Sequence, residues 1–181
     1  MAAQKWNFDT VHSTIGFSVR HLMISKVHGH FKTWTGTLLI DEATPAASSV
    51  EVEIEAASID TKEGQRDDHL RSPDFLEVQK FPKIRFQSTR VEKVSDERYR
   101  VTGNFTIRDS TKPIVLDFDY LGRAKDPWGG ERIAFAAKTS IDRKDYGLVF
   151  NMPLEGGGVL VGEKVEISLD VQAMKDTGAK Q

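Results

Sequence analysis

One segment of the chain, residues 61–81, concentrates side chains that can do directed polar chemistry. The charged and ionisable members of this group are Arg66, Asp67, Asp68, His69 and Arg71. Arg66 and His69 are three residues apart, so they share one face if the segment is helical. A guanidinium and an imidazole on one face can hydrogen-bond the polar head group of a ligand. Catalysis would need a further titratable group, which the sequence does not identify. The remaining alternative is a solvated helix face with intrahelical ion pairs.

The histidines form a second group of candidates, because neutral imidazole is a common metal ligand. His28 and His30 are two residues apart on a predicted strand and point to the same side, and His12 and His21 could join them. No carboxylate lies at a diagnostic spacing, and no local zinc-site pattern is present. We therefore expect histidines at the surface or at the mouth of a cavity, with a metal-binding stress protein as an alternative. His12 and Ser13 are adjacent and point to opposite faces, which excludes a base and nucleophile pair.

Arg143 is a further candidate for polar contact with a ligand. It begins the motif RKDYG, residues 143–147, at the end of a predicted strand. Arg143 and Asp145 share a face if the strand continues, so an ion pair that closes the rim of the fold is one interpretation. A contact with a ligand at the mouth of a cavity is the other.

The elements around these residues alternate in polarity as strands do. Residues 50–59 place Val, Ile and Ala in one phase and Glu in the other, which is typical of a half-buried antiparallel strand. Residues 6–20 predict a first strand pair, and residues 27–41 predict one long strand. About eight strands joined by turn-like connections predict an all-β fold, an eight-stranded antiparallel β-barrel.

A short helical insertion interrupts the strands and could act as a lid on the barrel. Thr61 is the predicted N-cap of a helix from Lys62 to about Arg71. Ser72 is predicted to cap a further turn that begins with Pro73. The polar group described above would therefore lie on the lid.

The side chains predicted to face the inside of the barrel carry almost no polar atoms. They are Ile15, Phe17, Val19, Phe31, Val52, Ile54, Ile84, Phe86, Phe105, Phe118, Phe135, Val165, Ile167 and Leu169. Such residues can form a dry, packed core. Small residues assigned to the same faces would instead leave space, and these are Thr35, Thr37, Ala56, Ala137 and Thr139. Pattern alone leaves both interpretations open, and we favour an apolar cavity that could bury a small molecule.

Length and composition restrict the class of protein. The 181 residues suffice for a single domain, 1–181, with a core over about 6–173 and a polar tail at 175–181. Hydrophobic residues make up 39% of the chain, and the formal net charge is -2 without a basic run, so we expect no nucleic-acid binding. The lack of cysteine excludes disulfides, thiol catalysis and Cys-ligated zinc.

The chain shows no sequence signal for a membrane. No stretch approaches the length of a transmembrane helix, and the N-terminal residues lack the apolar region of a signal peptide. We therefore expect a cytoplasmic location, or a periplasmic one if a leader has been removed.

Several motifs along the chain resemble the YceI-like family. They are WNFDTVHSTIGFSVRH at 6–21, SID at 58–60, RDDHLRSPDFLEVQKFPKIRFQS at 66–88 and RKDYG at 143–147. The most specific block runs through Arg66, Asp67, His69, Leu70, Ser72, Asp74 and Phe75. The resemblance implies a lipocalin-like barrel with an apolar tunnel for a long prenyl or acyl chain, a homodimer and no catalytic turnover. Many members of the family are secreted to the periplasm.

Our leading hypothesis is non-enzymatic binding or transport of a long-chain isoprenoid or related amphiphile, for example a polyprenyl quinone. The predicted ligand-binding residues are Phe17, Val19, His21, Phe31, Ile54, Arg66, His69, Phe86, Phe105, Phe135 and Arg143. The polar members would contact the head group, and the apolar members would line the tunnel. We expect no catalytic residue, metal or cofactor. The alternatives are an enzyme that uses Arg66, Asp67 and His69, the metal-binding protein, and a filled barrel that binds a partner.

Overall fold

The computed structural model describes residues 3–178, which are mostly antiparallel β-strands. The strands, labelled β1 to β11, are Gln4–Phe8, Thr14–His21, Ser25–Phe31, Trp34–Ile40, Ser49–Glu55, Ile59–Asp60, Lys83–Ser95, Arg98–Ile107, Ser110–Lys125, Glu131–Asp142 and Val161–Lys175. Over these described residues the one α-helix, α1, is Gly64–Arg71, and short 3-10 helices are Pro45–Ala47, Ala56–Ser58 and Arg143–Tyr146. Within the same range, no helix has the length and apolar character needed to span a membrane.

Eight of the strands close into a ring. The order is β1, β4, β5, β7, β8, β9, β10 and β11, and β11 pairs with β1 again. At the closure Trp6 of β1 lies opposite Lys175 of β11 on one side and opposite Leu38 of β4 on the other. The predicted eight-stranded antiparallel barrel with a short helical insertion is therefore confirmed. Closure leaves no free edge along this ring, which protects it from pairing with other chains.

The remaining strands extend one end of the barrel. β11 pairs with β1 through its last residues and with β2 through Val161 to Asp170. β2 continues the sheet to β3, and β3 pairs with the short β6 that precedes α1. We call this the helix end, and it also carries the turn 22–24 and the loop 147–160. The opposite end carries the turns at 41–48, 96–97 and 126–130.

Alternation along the strands places the core as the sequence indicates. In β7, Ile84 and Phe86 are buried, whereas Arg85 and Gln87 are exposed. Two predicted strand assignments were wrong. Residues 6–20 do not form a strand pair, because β1 and β2 both pair with β11 rather than with each other. Residues 27–41 form two strands, since the chain bends between β3 and β4.

The lid begins two residues later than predicted. Glu63, not Thr61, is the N-cap, and its carboxylate accepts hydrogen bonds from the backbone N–H groups of Gln65 and Arg66. Ser72 is the C-cap of α1, and the predicted turn follows it: Ser72 Oγ accepts from Asp74 N at 3.3 Å, and Ser72 O accepts from Phe75 N at 3.0 Å. A capping carboxylate is favourable here because it satisfies amide donors that have no intrahelical partner and complements the helix dipole.

The predicted polar tail overlaps the last strand, because β11 runs to Lys175. Residues 179–181 lie outside the described residues. The single domain over 1–181 stays a prediction.

Candidate functional site

The barrel encloses a cavity of about 980 Å³. Its lining reaches exposed side chains at the helix end, including Gln65 and His69. It also reaches exposed side chains at the opposite end, including Asp96 and Arg123. The cavity is therefore a tunnel that follows the barrel axis, and we call its opening at the helix end the mouth.

The tunnel wall is mainly apolar. Every apolar residue predicted to bind a ligand lies on it, and these are Phe17, Val19, Phe31, Ile54, Phe86, Phe105 and Phe135. Ile54 and Phe86 are buried, while the others are only partly buried although they face the interior. This residual accessibility shows that the lumen is not filled by side chains. Their role in binding stays a prediction.

Glycines make room in the lumen, and two of the five small residues predicted to do so, Thr35 and Thr37, do not, whereas Ala137 is buried on the same strand face as Phe135. Thr35 and Thr37 are exposed on the outer face, because Trp34 and Leu38 point inward on the same strand. Gly29 lies opposite Phe17, and a Cβ there would collide with the Phe17 ring. A Cβ on Gly103 would likewise collide with the ring of Phe86. The rings thus lie flat against glycine backbone instead of crossing the tunnel.

Arg66 and Asp67 attach the lid to the chain that follows β6. The Asp67 carboxylate is buried and accepts hydrogen bonds from Thr61 N at 2.9 Å and Thr61 Oγ1 at 2.5 Å. Arg66 donates from Nε to Thr61 Oγ1 at 2.8 Å and from Nη2 to Thr61 O at 2.7 Å. Arg71 adds bonds to the carbonyl oxygens of Ala57 and Ile59. These three side chains hold α1 across the helix end, and Arg66 also lines the tunnel.

His69 joins the lid to the loop 147–160 at the mouth. Its Nε2 lies 2.8 Å from Asp74 Oδ2. Its ring makes edge contacts with Phe75 and Phe150, at centroid distances of 5.1 and 4.9 Å. The side chain is partly exposed and lines the cavity, so it can meet both solvent and a bound molecule.

Arg143 lies beneath the loop 147–160 and is only 2% exposed. It donates to the carbonyl oxygens of Gly162 at 2.7 Å, Leu148 at 2.6 Å and Val161 at 3.3 Å. Burial lowers the pKa of Arg143, because a charged guanidinium is less favourable away from water. The ion pair with Asp145 that the sequence suggested was wrong: among residues 3–178, Arg143 forms hydrogen bonds to carbonyls and no ion pair.

The histidines are dispersed. His21 lines the mouth, whereas His28 and His30 lie on the outer face because Val27 and Phe31 of the same strand line the tunnel. His12 is distant in the fold and has Nδ1 at 2.7 Å from Asp9 Oδ2. Over residues 3–178, no three histidine or acidic side chains converge where they could hold a metal ion.

Sequence reasoning missed several residues of the tunnel. Asp74 and Phe150 complete the contacts of His69 at the mouth. At the opposite end, Tyr99 and Tyr120 line the tunnel and contact Phe135 at centroid distances of 6.2 and 5.4 Å. Asp74 belongs to the motif that carries the family resemblance, so it could have been included. Phe150 lies in a glycine-containing loop, where no periodicity indicates which side chains point inward.

Comparison with known proteins identifies relatives along the chain. A family model described as the YceI-like domain matches residues 6–173. Protein YceI of Salmonella newport is 40% identical over 164 residues, which cover 91% of this chain and 82% of that protein.

Solved structures share the architecture. Burkholderia cenocepacia BcnA superposes with a TM-score of 0.80 at 18% identity, over 91% of this chain and 98% of BcnA. A domain from Saccharophagus degradans, described as a polyisoprenoid-binding domain implicated in plant cell wall breakdown, gives a TM-score of 0.68 at 13% identity. That match covers 94% of this chain and 98% of the domain. At these identities the two structures support the fold alone.

Proposed function

The chain belongs to the YceI-like family, as its sequence motifs indicated, and we propose that it binds and carries a long-chain isoprenoid or related amphiphile without catalysing a reaction. The observation that carries this proposal is the apolar tunnel of about 980 Å³. This volume is at the upper end of the range for ligand pockets. The domain from Saccharophagus degradans, which shares the fold, is itself described as polyisoprenoid-binding, and we extend that ligand class to this chain as part of the proposal.

The length of the tunnel favours an extended chain over a compact ligand. β7 has 13 residues and runs between the two ends of the barrel. At about 3.3 Å per residue and a tilt of about 40°, such a strand spans roughly 30 Å along the axis. Each methylene buried there contributes about 0.8 kcal/mol, so affinity would come mainly from the chain.

The polar groups favour one orientation of the ligand. His21, Arg66, His69 and Arg143 all line the helix end of the tunnel. His21, Arg66 and His69 are at least partly exposed and offer N–H donors to a head group that carries phosphate, carboxylate or carbonyl oxygens, whereas Arg143 is buried against backbone carbonyls. We therefore propose that the head group lies at the mouth and that the chain extends toward Tyr99 and Tyr120. A quinone ring or a phosphate would satisfy the same donors.

The residues that could support catalysis have structural partners. Arg66 and Asp67 bind Thr61, and His69 binds Asp74. The Ser72 hydroxyl donates to the backbone oxygen of His69. These contacts favour a binding protein over the enzyme alternative.

A chain-length series tests the proposal. The delipidated protein would be mixed with polyprenyl quinones of increasing length, and complexes would be measured by native mass spectrometry. We expect a one-to-one complex whose affinity rises more than tenfold per isoprene unit until the tunnel is filled, at about 0.8 kcal/mol per methylene. Affinity that is independent of chain length, or no complex at any length, would contradict the proposal.

Two further predictions from the sequence accompany this function. The homodimer is tested by sedimentation equilibrium of the ligand-free protein. The cytoplasmic location, or the periplasmic one after removal of a leader, is tested by fractionation of cells that express the native gene.

A further inference from the structure

Large apolar side chains are exposed at the helix end, on two neighbouring loops. They form what we call the apolar rim: Leu22, Met23, Ile24, Val149 and Met152. Ile24 is 83% exposed and Val149 is 62% exposed. Isolated exposed apolar residues are ordinary, but a cluster beside a cavity marks an interaction surface.

The apolar rim is continuous with the mouth of the tunnel. Leu22 N donates to Leu160 O at 2.9 Å, and Leu160 lines the tunnel. Met23 lies against Gly158 of the same loop, where an added Cβ would be 3.0 Å from Met23 Cγ. Val149 precedes Phe150, which lines the tunnel and contacts His69 of the lid. The rim therefore stands beside the opening through which a ligand would pass.

The turn that carries three of the five rim residues has an unfavourable backbone for its residue types. Leu22 and Met23 have φ of 55° and 66°, and Ile24 N closes the turn on His21 O at 3.3 Å. Two consecutive central residues with positive φ are the type I′ arrangement, in which Asn, Asp and Gly are favoured. Bulky apolar residues are strained in this region. Their presence indicates that these side chains act outside the fold rather than stabilising it.

The chemistry around the rim favours a lipid surface over a second copy of the chain. A stable protein interface uses roughly 20–30 residues and about 800 Å² per partner, far more than five side chains on two loop tips provide. The five rim side chains are uncharged, and two neighbouring lysines are already paired, with Lys26 3.0 Å from Glu166 and Lys144 2.6 Å from Glu163. Protruding apolar tips can enter the fluid interface of a bilayer, which needs no matching shape.

We propose that the apolar rim docks the helix end on a lipid bilayer, so that a water-insoluble chain passes between membrane and tunnel without crossing water. The purpose of this docking rests on the proposed function, but the docking itself is measurable without any ligand. Because the five protruding side chains of the rim are apolar, docking is driven by apolar burial. It therefore requires no anionic lipid and changes little with salt.

Flotation of the ligand-free protein with phosphatidylcholine vesicles tests the proposal. We expect the wild type to float with vesicles at low and high salt. The double variant Leu22→Asn with Met23→Gly places favoured residues in the turn, so its melting temperature should rise while its vesicle partitioning falls at least tenfold. A variant that is more stable and yet binds less cannot have lost binding through unfolding. Val149→Ser with Met152→Ser on the other loop should also reduce partitioning, independently of the turn.

The matched control is Trp128→Ser, since Trp128 is 84% exposed at the opposite end. Its vesicle partitioning should equal that of the wild type. Equal partitioning of the wild type and both rim variants, no partitioning of the wild type, or a rim-dependent dimer in the absence of lipid would each overturn the proposal. Docking on vesicles without any binding of polyprenyl chains would retain this inference and remove the proposed function. Binding of polyprenyl chains without docking on vesicles would remove this inference and retain the proposed function.

Discussion

Arginine side chains bind different partners at the two ends of the barrel. At the opposite end Arg132 bridges two carboxylates, Asp9 at 2.7 Å and Asp126 at 3.2 Å. At the helix end the buried Arg143 binds three backbone carbonyl oxygens, and the lid residue Arg71 binds two carbonyl oxygens besides its exposed pair with Asp68. Arg132 thus joins two side chains at the opposite end. Arg143 and Arg71 position a loop and the lid through the backbone, at an end that also exposes apolar side chains.

The different contacts at the two ends allow fold stability and ligand binding to be altered separately. Ion pairs at the opposite end depend on pH, whereas bonds from an arginine to carbonyls do not change until the arginine itself loses its proton. The loop 147–160 at the helix end can therefore keep its arginine contacts over a wide pH range while the surface of that end meets an apolar partner. The predictions that follow alter one end at a time, and each has a matched control.

The largest effect is expected for Arg143→Met. Removal of the guanidinium leaves the carbonyls of Gly162, Leu148 and Val161 without their donor. At about 1–3 kcal/mol for each buried group left unsatisfied, we expect a loss of about 4 kcal/mol in the free energy of unfolding. Urea denaturation measures it. The control Arg98→Met removes an exposed ion pair with Asp119 and should cost less than about 1 kcal/mol. Equal losses would show that Arg143 does not organise the loop.

The next effect is expected for Asp67→Ala, which leaves two donors of Thr61 without an acceptor. We expect a loss of about 3 kcal/mol of stability, while ligand affinity changes less than about threefold. Asp68→Ala on the same helix is the control, because Asp68 is exposed and pairs only with Arg71. Urea denaturation and chain binding are measured on both. A variant that keeps its stability but loses the ligand would assign Asp67 to the ligand rather than to the lid.

The tunnel itself is tested by Leu169→Trp. Leu169 lines the lumen on β11, and Asp170 points outward on the same strand. An indole that displaces three or four methylenes of the ligand should reduce the binding free energy by about 3 kcal/mol, so chain binding weakens roughly 100-fold. Asp170→Trp should bind like the wild type. Similar affinities for the two variants would place the chain outside the barrel.

The smallest effect concerns the opposite end and pH. Burial alone would raise the pKa of Asp9, but hydrogen bonds from Arg132 and His12 outweigh it and lower this pKa from 3.8 to about 2. Because the folded-state pKa is below the unfolded one, the ionised carboxylate stabilises the fold above about pH 4 and this contribution is lost as pH falls toward about 2. Over that interval the wild type should lose about 2 kcal/mol in the free energy of unfolding. Asp9→Asn should not show this loss. Urea denaturation at several pH values measures this, with the exposed Asp119→Asn as control. Identical pH profiles of the wild type and Asp9→Asn would contradict the role of this carboxylate.

Much of the barrel could be predicted because period-two alternation determines which side chains share a face. Phe17, Phe86 and Phe135 were assigned to the inside from this pattern alone, and all three line the tunnel. The residues that leave the lumen free were predicted only in part. Thr35 and Thr37 lie outside, and the space comes from rings packed on Gly29 and Gly103, which depends on cross-strand register.

The polar contacts were harder to predict, because a side chain's type does not determine its partner. Arg143 was a candidate for an ion pair, but it binds carbonyls, which every residue carries and no pattern distinguishes. Thr61 was the predicted N-cap of the lid, but Glu63 is the cap. Thr61 is instead used by Asp67 and Arg66, which only the three-dimensional arrangement shows.

The orientation of a bound chain tests the central claim, that the two ends of the barrel serve different parts of one amphiphile. A long-chain quinone or carboxylate with bromine on its last carbon would be soaked into crystals of the protein, and the bromine would be located by anomalous scattering. We predict one bromine site inside the barrel, closer to Tyr99 and Tyr120 than to His69, with the head group within hydrogen-bonding distance of the helix-end donors. Bromine beside His69, or at the outer surface of the barrel, would contradict this account.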